Sequence, residues 1–311
     1  MIKTNLTAES LKVTGRIEKD QKASEWTWLG TGGKPLITFY PDSIEDLAMF
    51  LKNRPQNIAY KTFGAASNVL IRDGDCNGLC YDGAFIRLMK GFRKLTIEGT
   101  QIIAEAGLPG SFIVNKALEQ DLGGISFMAT IPGNLGGLIT MNAGAHGKEM
   151  KDIVNWVEIM DSNGKIHRLT NTECNFTYRH SAIAQDWIVI RACINTKQEK
   201  RETITQELHK LIAHRKATQP TKGKMAGCFF KNPSSAQKAW QLIRNATVDA
   251  NAAINASQTV CVSEIHANFI INKNNATAFD LEYFALQLQA DIFFKQNVWL
   301  EMEIERIGYY R

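Results

Sequence analysis

The chain has 311 residues, of which 44% are hydrophobic and 22% charged, and its formal net charge is +5. This length is sufficient for two or three packed units. No stretch approaches the roughly 20 apolar residues of a membrane span, and residues 1–5 lack the apolar run of an export signal. The charge suits small anionic ligands but is too weak and dispersed to indicate nucleic-acid binding.

The first third of the chain predicts single helices between short strands. Apolar residues recur at helical spacing from Ile44 to Leu51, after Ser43, and Asp46 completes a Ser-x-x-Asp capping pattern. A strand over 58–63 then leads into a loop of small residues at 64–68. Residues 95–98 and 102–106 predict a hairpin around Gly99-Thr100, and residues 111–120 predict a helix.

A second predicted hairpin pairs residues 154–160 with 166–169, and a strand follows at 186–195. Strands and helices do not alternate regularly, which favours a mixed α+β fold over a doubly wound sheet. A charged run from Lys197 to Glu202 predicts a domain boundary near residue 200, followed by a helix of about four turns.

The last third predicts helices near 235–246 and 277–295, a strand at 268–272 and a closing strand at 298–307. In the closing segment Glu301, Glu303 and Glu305 alternate, which would place three carboxylates on one side of a strand. Such a face must meet solvent, cations or a polar site.

Residues 123–150 carry the densest chemical pattern of the chain. Seven of these 28 residues are glycine, and no charged residue occurs before Lys148. Glycine at this density is costly in helices and strands, but it suits a backbone that approaches a phosphate-bearing ligand and offers its N–H groups. A tightly turned structural corner is the alternative. No G-x-G-x-x-G, P-loop or H-E-x-x-H motif accompanies the segment.

Two further segments carry reactive side chains. Tyr178-Arg179-His180-Ser181 places a guanidinium before a strand, where it could hold a carboxylate or phosphate, or form a surface ion pair. Cys228 lies between Ala226-Gly227 and two phenylalanines. Its thiol could exchange a proton near neutral pH, or it could be a small buried hydrophobic residue.

The six cysteines, at positions 76, 80, 174, 193, 228 and 261, do not indicate a zinc site. Cys76 and Cys80 form a C-x3-C pair, but no second pair or suitable histidine follows. We expect reduced thiols, no disulfide and no metal.

Taken together, the motifs resemble the UDP-N-acetylenolpyruvoylglucosamine reductase family over nearly the whole chain. Eight segments keep the family order, which makes the resemblance specific. They are Thr31-Gly32-Gly33, residues 64–68, residues 106–109, residues 123–150, residues 175–181, the Cys228 loop through Asn232-Pro233, residues 262–272 and residues 300–308.

The resemblance implies an FAD-binding fold of the vanillyl-alcohol-oxidase type. It implies two FAD-binding subdomains, over 1–90 and 91–200, and a substrate domain over 201–311. The spacing from Arg179 to Cys228 is that of the shorter form of the family, without an extra substrate-covering loop. The cofactor-binding residues it implies are Gly64, Ala65, Ala66, Ser67, Asn68, Ile131, Pro132, Gly133, Gly136, Gly137, Asn142 and Gly144.

The implied reaction is that of a UDP-N-acetylmuramate dehydrogenase in peptidoglycan precursor synthesis, and hence in cell-wall growth and division. NADPH reduces FAD, and hydride then passes to the vinyl carbon of UDP-N-acetylglucosamine enolpyruvate. By resemblance Arg179 holds the substrate carboxylate, Glu303 assists as an acid or polariser, and residue 228 delivers the proton. Tyr178, Lys231 and Asn232 are the implied substrate contacts, and we expect a cytoplasmic monomer with no nucleic-acid or membrane partner.

Three positions depart from the family pattern. Cys228 replaces the usual serine, Ala66 replaces the second glycine of a Gly-x-Gly-Ser-Asn loop, and residues 244–261 lack the usual glycines. We expect Cys228 to be a competent and alkylation-sensitive donor, and Ala66 to be tolerated only at negative φ. The alternatives are another oxidoreductase of the same fold, acting on a sugar or hydroxy acid, and a flavin-binding homologue without catalysis.

Overall fold

The computed structural model describes residues 6–249 and 259–310, and within them helices and strands are mixed as expected for an α+β protein. The α-helices are α1 (Ala8–Leu11), α2 (Ile44–Asn53), α3 (Gly110–Leu118), α4 (Leu135–Thr140), α5 (Arg201–Thr218), α6 (Ala239–Asp249) and α7 (Ala278–Gln296). The strands are β1 (Arg16–Glu18), β2 (Lys34–Tyr40), β3 (Ala59–Phe63), β4 (Val69–Ile71), β5 (Leu79–Arg87), β6 (Leu95–Glu98), β7 (Gln101–Glu105), β8 (Leu122–Gly123), β9 (Gly144–Ala145), β10 (Lys148–Glu149), β11 (Val154–Met160), β12 (Ile166–Thr170), β13 (Ile188–Asn195), β14 (Lys197–Gln198), β15 (Lys224–Met225), β16 (Val260–Val262), β17 (Ile270–Asn272) and β18 (Glu305–Ile307).

The chain forms two compact units. The first contains residues 1–19, 37–64 and 82–215, and the second contains residues 20–36, 65–81 and 216–311. The backbone therefore crosses between the units at several points, including one immediately after Gly64. The three-part division at residues 90 and 200 stays a prediction.

Within the described residues, the first unit holds two larger sheets and two two-stranded pairs, β10-β9 and β14-β8. One has the strand order β1-β2-β5-β3, with β3 parallel to β5, and the other is antiparallel with the order β12-β11-β13-β7-β6. Both predicted hairpins occur in the antiparallel sheet. A stacked pair of buried rings, Phe39 and Phe50, with centroids 4.5 Å apart, packs α2 against β2.

The second unit is built on an apolar core around α6 and α7. Phe229, Phe230, Leu281 and Phe284 belong to this core and are buried. A three-stranded sheet has the order β15-β17-β16, and β4 pairs in parallel with β18, aligning Val69 with Glu305.

A buried carboxylate, Glu282 on α7, forms an ion-pair cluster in the second unit. Its side chain is only about 7% exposed. Arg72 donates to both carboxylate oxygens, at 3.0 and 2.7 Å, and Arg306 and the Tyr310 hydroxyl also donate. This charge is paired on several sides, as a buried carboxylate requires.

The predicted helix after Ser43 is confirmed, but Asp46 does not complete a capping box. The Ser43 hydroxyl accepts from the Asp46 N–H, as a helix N-cap does. The Asp46 carboxylate instead accepts from the backbone N–H groups of Thr14, Gly15 and Asp42. It fastens the segment before β1 to the start of α2.

The predicted closing strand at 298–307 is wrong over most of its length. Only Glu305–Ile307 forms a strand, and Met302 makes an isolated bridge with Phe230. Glu301 and Glu305 are exposed, whereas Glu303 is half-buried. The segment is held by single hydrogen bonds to other loops rather than by a continuous ladder. Helix α5, at 18 residues, is a turn longer than predicted.

Candidate functional site

The glycine-rich loop before α4 belongs to the first unit. The Leu135 and Gly136 N–H groups donate to the carbonyls of Leu108 and Ala106, at 2.8 and 3.0 Å. A Cβ on Gly136 would lie 3.1 Å from the Ala106 Cβ, so packing favours glycine there. Gly133 has φ +133°, which a residue with a side chain rarely adopts. Ile131 and Pro132 lead into this loop and are half-buried.

Gly64 and Gly137 differ in why they are glycine. A Cβ on Gly64 would lie 3.0 Å from the Asn134 Cβ, so a neighbouring side chain occupies that space. A Cβ on Gly137 would meet no atom within 4 Å, and Gly137 is exposed in a helix. Neither packing nor backbone conformation requires glycine at 137. Its small size is consistent with a surface left open for a ligand.

The Met141–Ala145 turn follows α4 and is internally braced. A Cβ on Gly144 would lie 2.7 Å from the Lys148 carbonyl oxygen, so glycine is required there. Asn142 is fully buried at φ +41°, a conformation that asparagine tolerates. Its amide donates to the Thr177 carbonyl at 2.9 Å and to Glu149 at 3.0 Å, and accepts from the Lys151 N–H at 2.9 Å. The side chain is thus fully engaged within the protein.

Arg179 lies in a tight turn of the first unit. Thr177 and His180 exchange backbone hydrogen bonds across it, and Arg179 has φ +56°. This left-handed conformation is unfavourable for arginine and is typical of backbone held under strain at functional sites. The guanidinium carbon lies 4.9 Å from the centroid of the exposed Tyr178 ring, and one nitrogen lies 3.5 Å from the Gly144 carbonyl oxygen.

Three segments that were predicted to be functional meet within the second unit. The Gly227 N–H donates to the Ser67 carbonyl at 3.2 Å. The Asn68 amide donates to the Glu303 carbonyl at 3.2 Å, and the Glu305 N–H donates to the Asn68 carbonyl at 3.1 Å. The loop at 65–68 therefore joins the Cys228 loop and the Glu303 segment through its backbone and the Asn68 side chain.

Ala66 contradicts the expectation of negative φ. Its φ is +52°, in the left-handed region where glycine is favoured, although its methyl group is buried. Its neighbour Ala65 is not among the residues with positive φ. The loop thus keeps the conformation of a glycine with an alanine in place.

The buried residue Phe229, which follows Cys228, connects the Cys228 loop to the Glu303 segment. The Phe229 N–H donates to the Asn268 carbonyl at 2.8 Å, and its carbonyl accepts from the Glu303 N–H at 2.9 Å. Both Cys228 and Glu303 are half-buried. The thiol and the carboxyl group are thus carried by two backbone segments joined directly by a hydrogen bond.

The two predicted substrate contacts beyond Cys228 have internal partners. The Lys231 ammonium pairs with the Glu301 carboxylate at 2.5 Å, and the Lys231 backbone N–H donates to the Glu301 backbone carbonyl at 2.8 Å. The Asn232 side-chain oxygen accepts from the Ala239 N–H at the start of α6, at 3.0 Å. Asn232 thus positions the helix, whatever else it contacts.

One residue that supports the site was missed from the sequence. Asn268 is 2% exposed, and its side chain accepts from the Phe230 N–H at 2.9 Å and donates to the Phe230 carbonyl at 2.8 Å. It mimics a neighbouring strand and fixes the chain just after Cys228. A polar side chain between the apolar residues Ala267 and Phe269 was the available signal.

The titratable groups near these segments include a histidine pair. His146 and His214 have ring centroids 5.2 Å apart, and burial together with His214 lowers the pKa of His146. Within residues 6–249 and 259–310 no group of three or more His, Cys, Asp or Glu side chains could hold a metal ion. None of the six cysteines, all of which lie in the described residues, forms a disulfide. No helix in the same residues is long and apolar enough to cross a membrane.

Comparison with known proteins gives a family match at each end of the chain. Residues 35–170 match the FAD binding domain model, and residues 219–307 match the model of the UDP-N-acetylenolpyruvoylglucosamine reductase C-terminal domain. The second match includes the glycine-free stretch at 244–261, of which residues 250–258 lie outside the described residues.

Similar proteins match over nearly their full length. UDP-N-acetylenolpyruvoylglucosamine reductase from Parvibaculum lavamentivorans is 36% identical, with 96% of this chain and 93% of the relative covered. The protein of the same name from Gluconobacter oxydans is 34% identical, with 94% and 93% covered. The crystal structure of UDP-N-acetylenolpyruvylglucosamine reductase (MurB) from Thermus caldophilus matches with a TM-score of 0.79 at 28% identity, covering 94% of this chain and all of that one.

Identity above 30% over almost the entire length, together with both domain matches, shows that this chain belongs to the UDP-N-acetylenolpyruvoylglucosamine reductase family.

Proposed function

We propose that the chain is an FAD-dependent, NADPH-oxidising reductase that converts UDP-N-acetylglucosamine enolpyruvate into UDP-N-acetylmuramate. The observation that carries the proposal is the hydrogen bond from the Glu303 N–H to the Phe229 carbonyl, one residue after Cys228. It brings a carboxyl-bearing segment beside a thiol-bearing one, and a reduction that ends in protonation of carbon needs a proton donor with a polar neighbour.

The residues present fit a bound flavin nucleotide. Gly137 is exposed with open space where a side chain would project, and Gly133 holds a backbone conformation that side chains rarely adopt. Bound FAD would supply a two-electron carrier that takes hydride from NADPH and gives hydride to the vinyl carbon. Ile131–Gly137, Gly64, Gly144 and Ala65–Asn68 are the segments that hold the cofactor in this proposal.

Arg179 binds the substrate carboxylate. A guanidinium matches a carboxylate with two parallel N–H donors, and it remains charged at all physiological pH values. Negative charge develops beside the carboxylate as hydride adds to the double bond. A fixed positive group there stabilises that charge more in the transition state than in the ground state. Tyr178, beside the guanidinium, is a second substrate contact in this proposal.

Cys228 delivers the proton that completes the reaction. Its Sγ–H bond breaks as a C–H bond forms at the carbon next to the carboxylate, and the thiolate is then reprotonated from solvent. Glu303 polarises the developing enolate or supplies a proton through its carboxyl group. Lys231 and Asn232 contact the substrate at the far end of the same loop.

We also propose that the protein acts in the cytoplasm as a monomer. Six cysteines without a disulfide are typical of a reducing compartment, and the nucleotide substrate and NADPH are small molecules of that compartment. Light scattering of the purified protein tests the monomer directly, since a dimer would double the measured mass.

Half-reaction spectroscopy tests the function. The purified protein should show a yellow flavin spectrum that NADPH bleaches anaerobically, and the enolpyruvyl nucleotide should restore the colour with formation of the muramate product. A colourless protein that takes up no FAD contradicts the proposal. A flavin that NADPH bleaches but that only oxygen reoxidises would favour another oxidoreductase of this fold.

A further inference from the structure

We propose that Asn142 and Ser181 are positioning residues for Arg179, and that Asn142 acts through the turn rather than by touching the cofactor. The proposal rests on the role of Arg179 in the proposed function. It concerns only contacts within the first unit.

The turn that carries Arg179 is held from both sides. Before the turn, the Asn142 amide donates to the Thr177 carbonyl at 2.9 Å. After it, the Ser181 hydroxyl donates to the Thr140 carbonyl at 2.8 Å. Thr140 is the last residue of α4, and Asn142 follows two residues later. Both tethers therefore lead from the turn to the C-terminal end of one short helix.

Both N–H donors of the Asn142 side chain are used within the protein, and its oxygen has a backbone partner as well. An asparagine amide offers two N–H donors and one oxygen. Here the donors go to Thr177 and Glu149, and the oxygen accepts from the Lys151 N–H. At zero exposure the arrangement also fixes which way the amide points, because only one orientation satisfies two acceptors and one donor.

The two hydrogen bonds made by Asn142 and Ser181 hold a turn whose backbone is strained at Arg179. Arg179 has φ +56°, an unfavourable conformation for a residue with a long side chain. Such a conformation persists where the surroundings over-determine it. Ser181 is 3% exposed and Asn142 is fully buried, so both donor side chains are shielded from water, although the carbonyls that accept from them belong to exposed residues. Without them the turn would relax and the guanidinium would shift.

A guanidinium shift should affect one half-reaction and spare the other. The proposed function gives Arg179 a role toward the enolpyruvyl substrate and none in flavin reduction by NADPH. A displacement of about 1 Å at a catalytic group costs on the order of 100-fold in rate. We therefore expect Asn142→Gly to slow substrate-driven flavin reoxidation by about 10- to 100-fold, with the rate of flavin bleaching by NADPH unchanged. Glycine is the replacement of choice because it accepts φ +41° without strain.

The decisive measurement is a double-mutant cycle of single-turnover reoxidation rates, using Asn142→Gly and Arg179→Ala. If Asn142 acts through Arg179, its substitution has little further effect once the guanidinium is gone. Equal losses in both backgrounds would overturn the proposal, as would loss of bound FAD from Asn142→Gly. Ser181→Ala, which keeps the backbone of the turn, should show the same dependence on Arg179.

Asn53→Ala is the matched control. The Asn53 amide donates to a backbone carbonyl of the same unit, that of Leu11 at 2.9 Å, and this contact involves neither the turn nor Lys151. It should lower the melting temperature as Asn142→Gly does, with unchanged reoxidation. A wild-type protein whose flavin the nucleotide does not reoxidise would contradict the proposed function itself. An active wild type with an additive cycle would contradict only this inference.

Discussion

The backbone N–H of Glu303 donates to the carbonyl of Phe229 at 2.9 Å, which makes the candidate acid and the residue after the candidate thiol direct neighbours. Asn268 holds Phe229 and Phe230 from the other side. The half-buried Cys228 is therefore carried by a loop whose following residues are fixed on both flanks.

Removal of the Cys228 thiol should abolish proton delivery while flavin reduction continues. We expect Cys228→Ala to slow substrate-driven reoxidation by about 100- to 10,000-fold, the usual contribution of a positioned general acid. Cys228→Ser should retain activity, because the hydroxyl keeps a donor in place. Stopped-flow absorbance of the flavin measures both half-reactions.

Alkylation tests the role of the Cys228 thiol independently of the other site residues. Iodoacetamide should inactivate the wild type and leave Cys228→Ser active, since the thiolate is the reactive species. Cys76→Ser, which removes an exposed thiol elsewhere, should stay as sensitive as the wild type. Full turnover by alkylated wild type would show that Cys228 is not the donor.

Ala66→Gly should stabilise the protein relative to Ala65→Gly. The φ of +52° at Ala66 costs an L-residue about 1–2 kcal/mol that glycine avoids, offset by about 0.8 kcal/mol for the lost buried methyl. At Ala65, where φ is not positive, glycine only adds flexibility to the unfolded chain and should cost about 0.5–1 kcal/mol. Chemical denaturation of both variants measures the difference, and a more stable Ala65→Gly would contradict it.

Gly137→Ala should lower the affinity for FAD without lowering the stability of the apoprotein. Because a Cβ there meets no atom within 4 Å and the residue is helical, the apoprotein should be as stable as the wild type or up to about 1 kcal/mol more stable. FAD affinity should fall by about tenfold or more if the flavin approaches this surface. Fluorescence titration of the apoprotein with FAD gives the affinity, and unchanged binding would remove Gly137 from the cofactor site.

Lowering the pH should destabilise the second unit, because Glu282 becomes protonated. Burial alone would raise the pKa of Glu282, but hydrogen bonds from Arg72, Tyr310 and Arg306 outweigh it and hold the pKa below its usual value. The resulting stability is fully present above the unfolded pKa of about 4.3 and is lost as pH falls through the lower folded value.

Glu282→Gln should therefore cost stability at neutral pH, on the order of 1.5–3 kcal/mol, because Arg72 and Arg306 lose their charged acceptor but remain partly exposed to water. The cost should shrink below about pH 4, where the wild type is losing the same charge. Urea unfolding at several pH values measures this, with Tyr310→Phe as a milder control that removes one hydrogen bond. A cost that does not depend on pH would contradict the assignment.

Periodicity and turn chemistry predicted the first half of the fold well. The helix after Ser43 and both hairpins of the antiparallel sheet were confirmed, because each rests on local spacing. The predicted strand in the closing segment was wrong over most of its length, because the alternation of Glu301, Glu303 and Glu305 is a pattern typical of strands. Its backbone partners, Lys231, Phe229 and Asn68, lie far away in sequence, and spacing alone does not show whether they form a ladder.

The sequence proposes residues for the candidate site, which stay a prediction, but it does not predict their bonding. The role of Asn142 as a buried tether could not be read from its place in a glycine-rich run, because its three partners are set by tertiary structure. At Ala66 a local rule predicted the wrong backbone conformation. The local rule correctly disfavours alanine at positive φ, and the surrounding hydrogen bonds override it.

The bond from the Asn68 amide to the Glu303 carbonyl joins residues 235 positions apart, and β4 pairs with β18 over a similar span. Contacts of this range form late in folding, since a long loop must close before they give any gain. During synthesis the loop at 65–68 would have to wait until residues 303–307 have left the ribosome. Until then its partners are absent, and a newly made chain would complete the candidate site only after Ile307 has paired with Ile71.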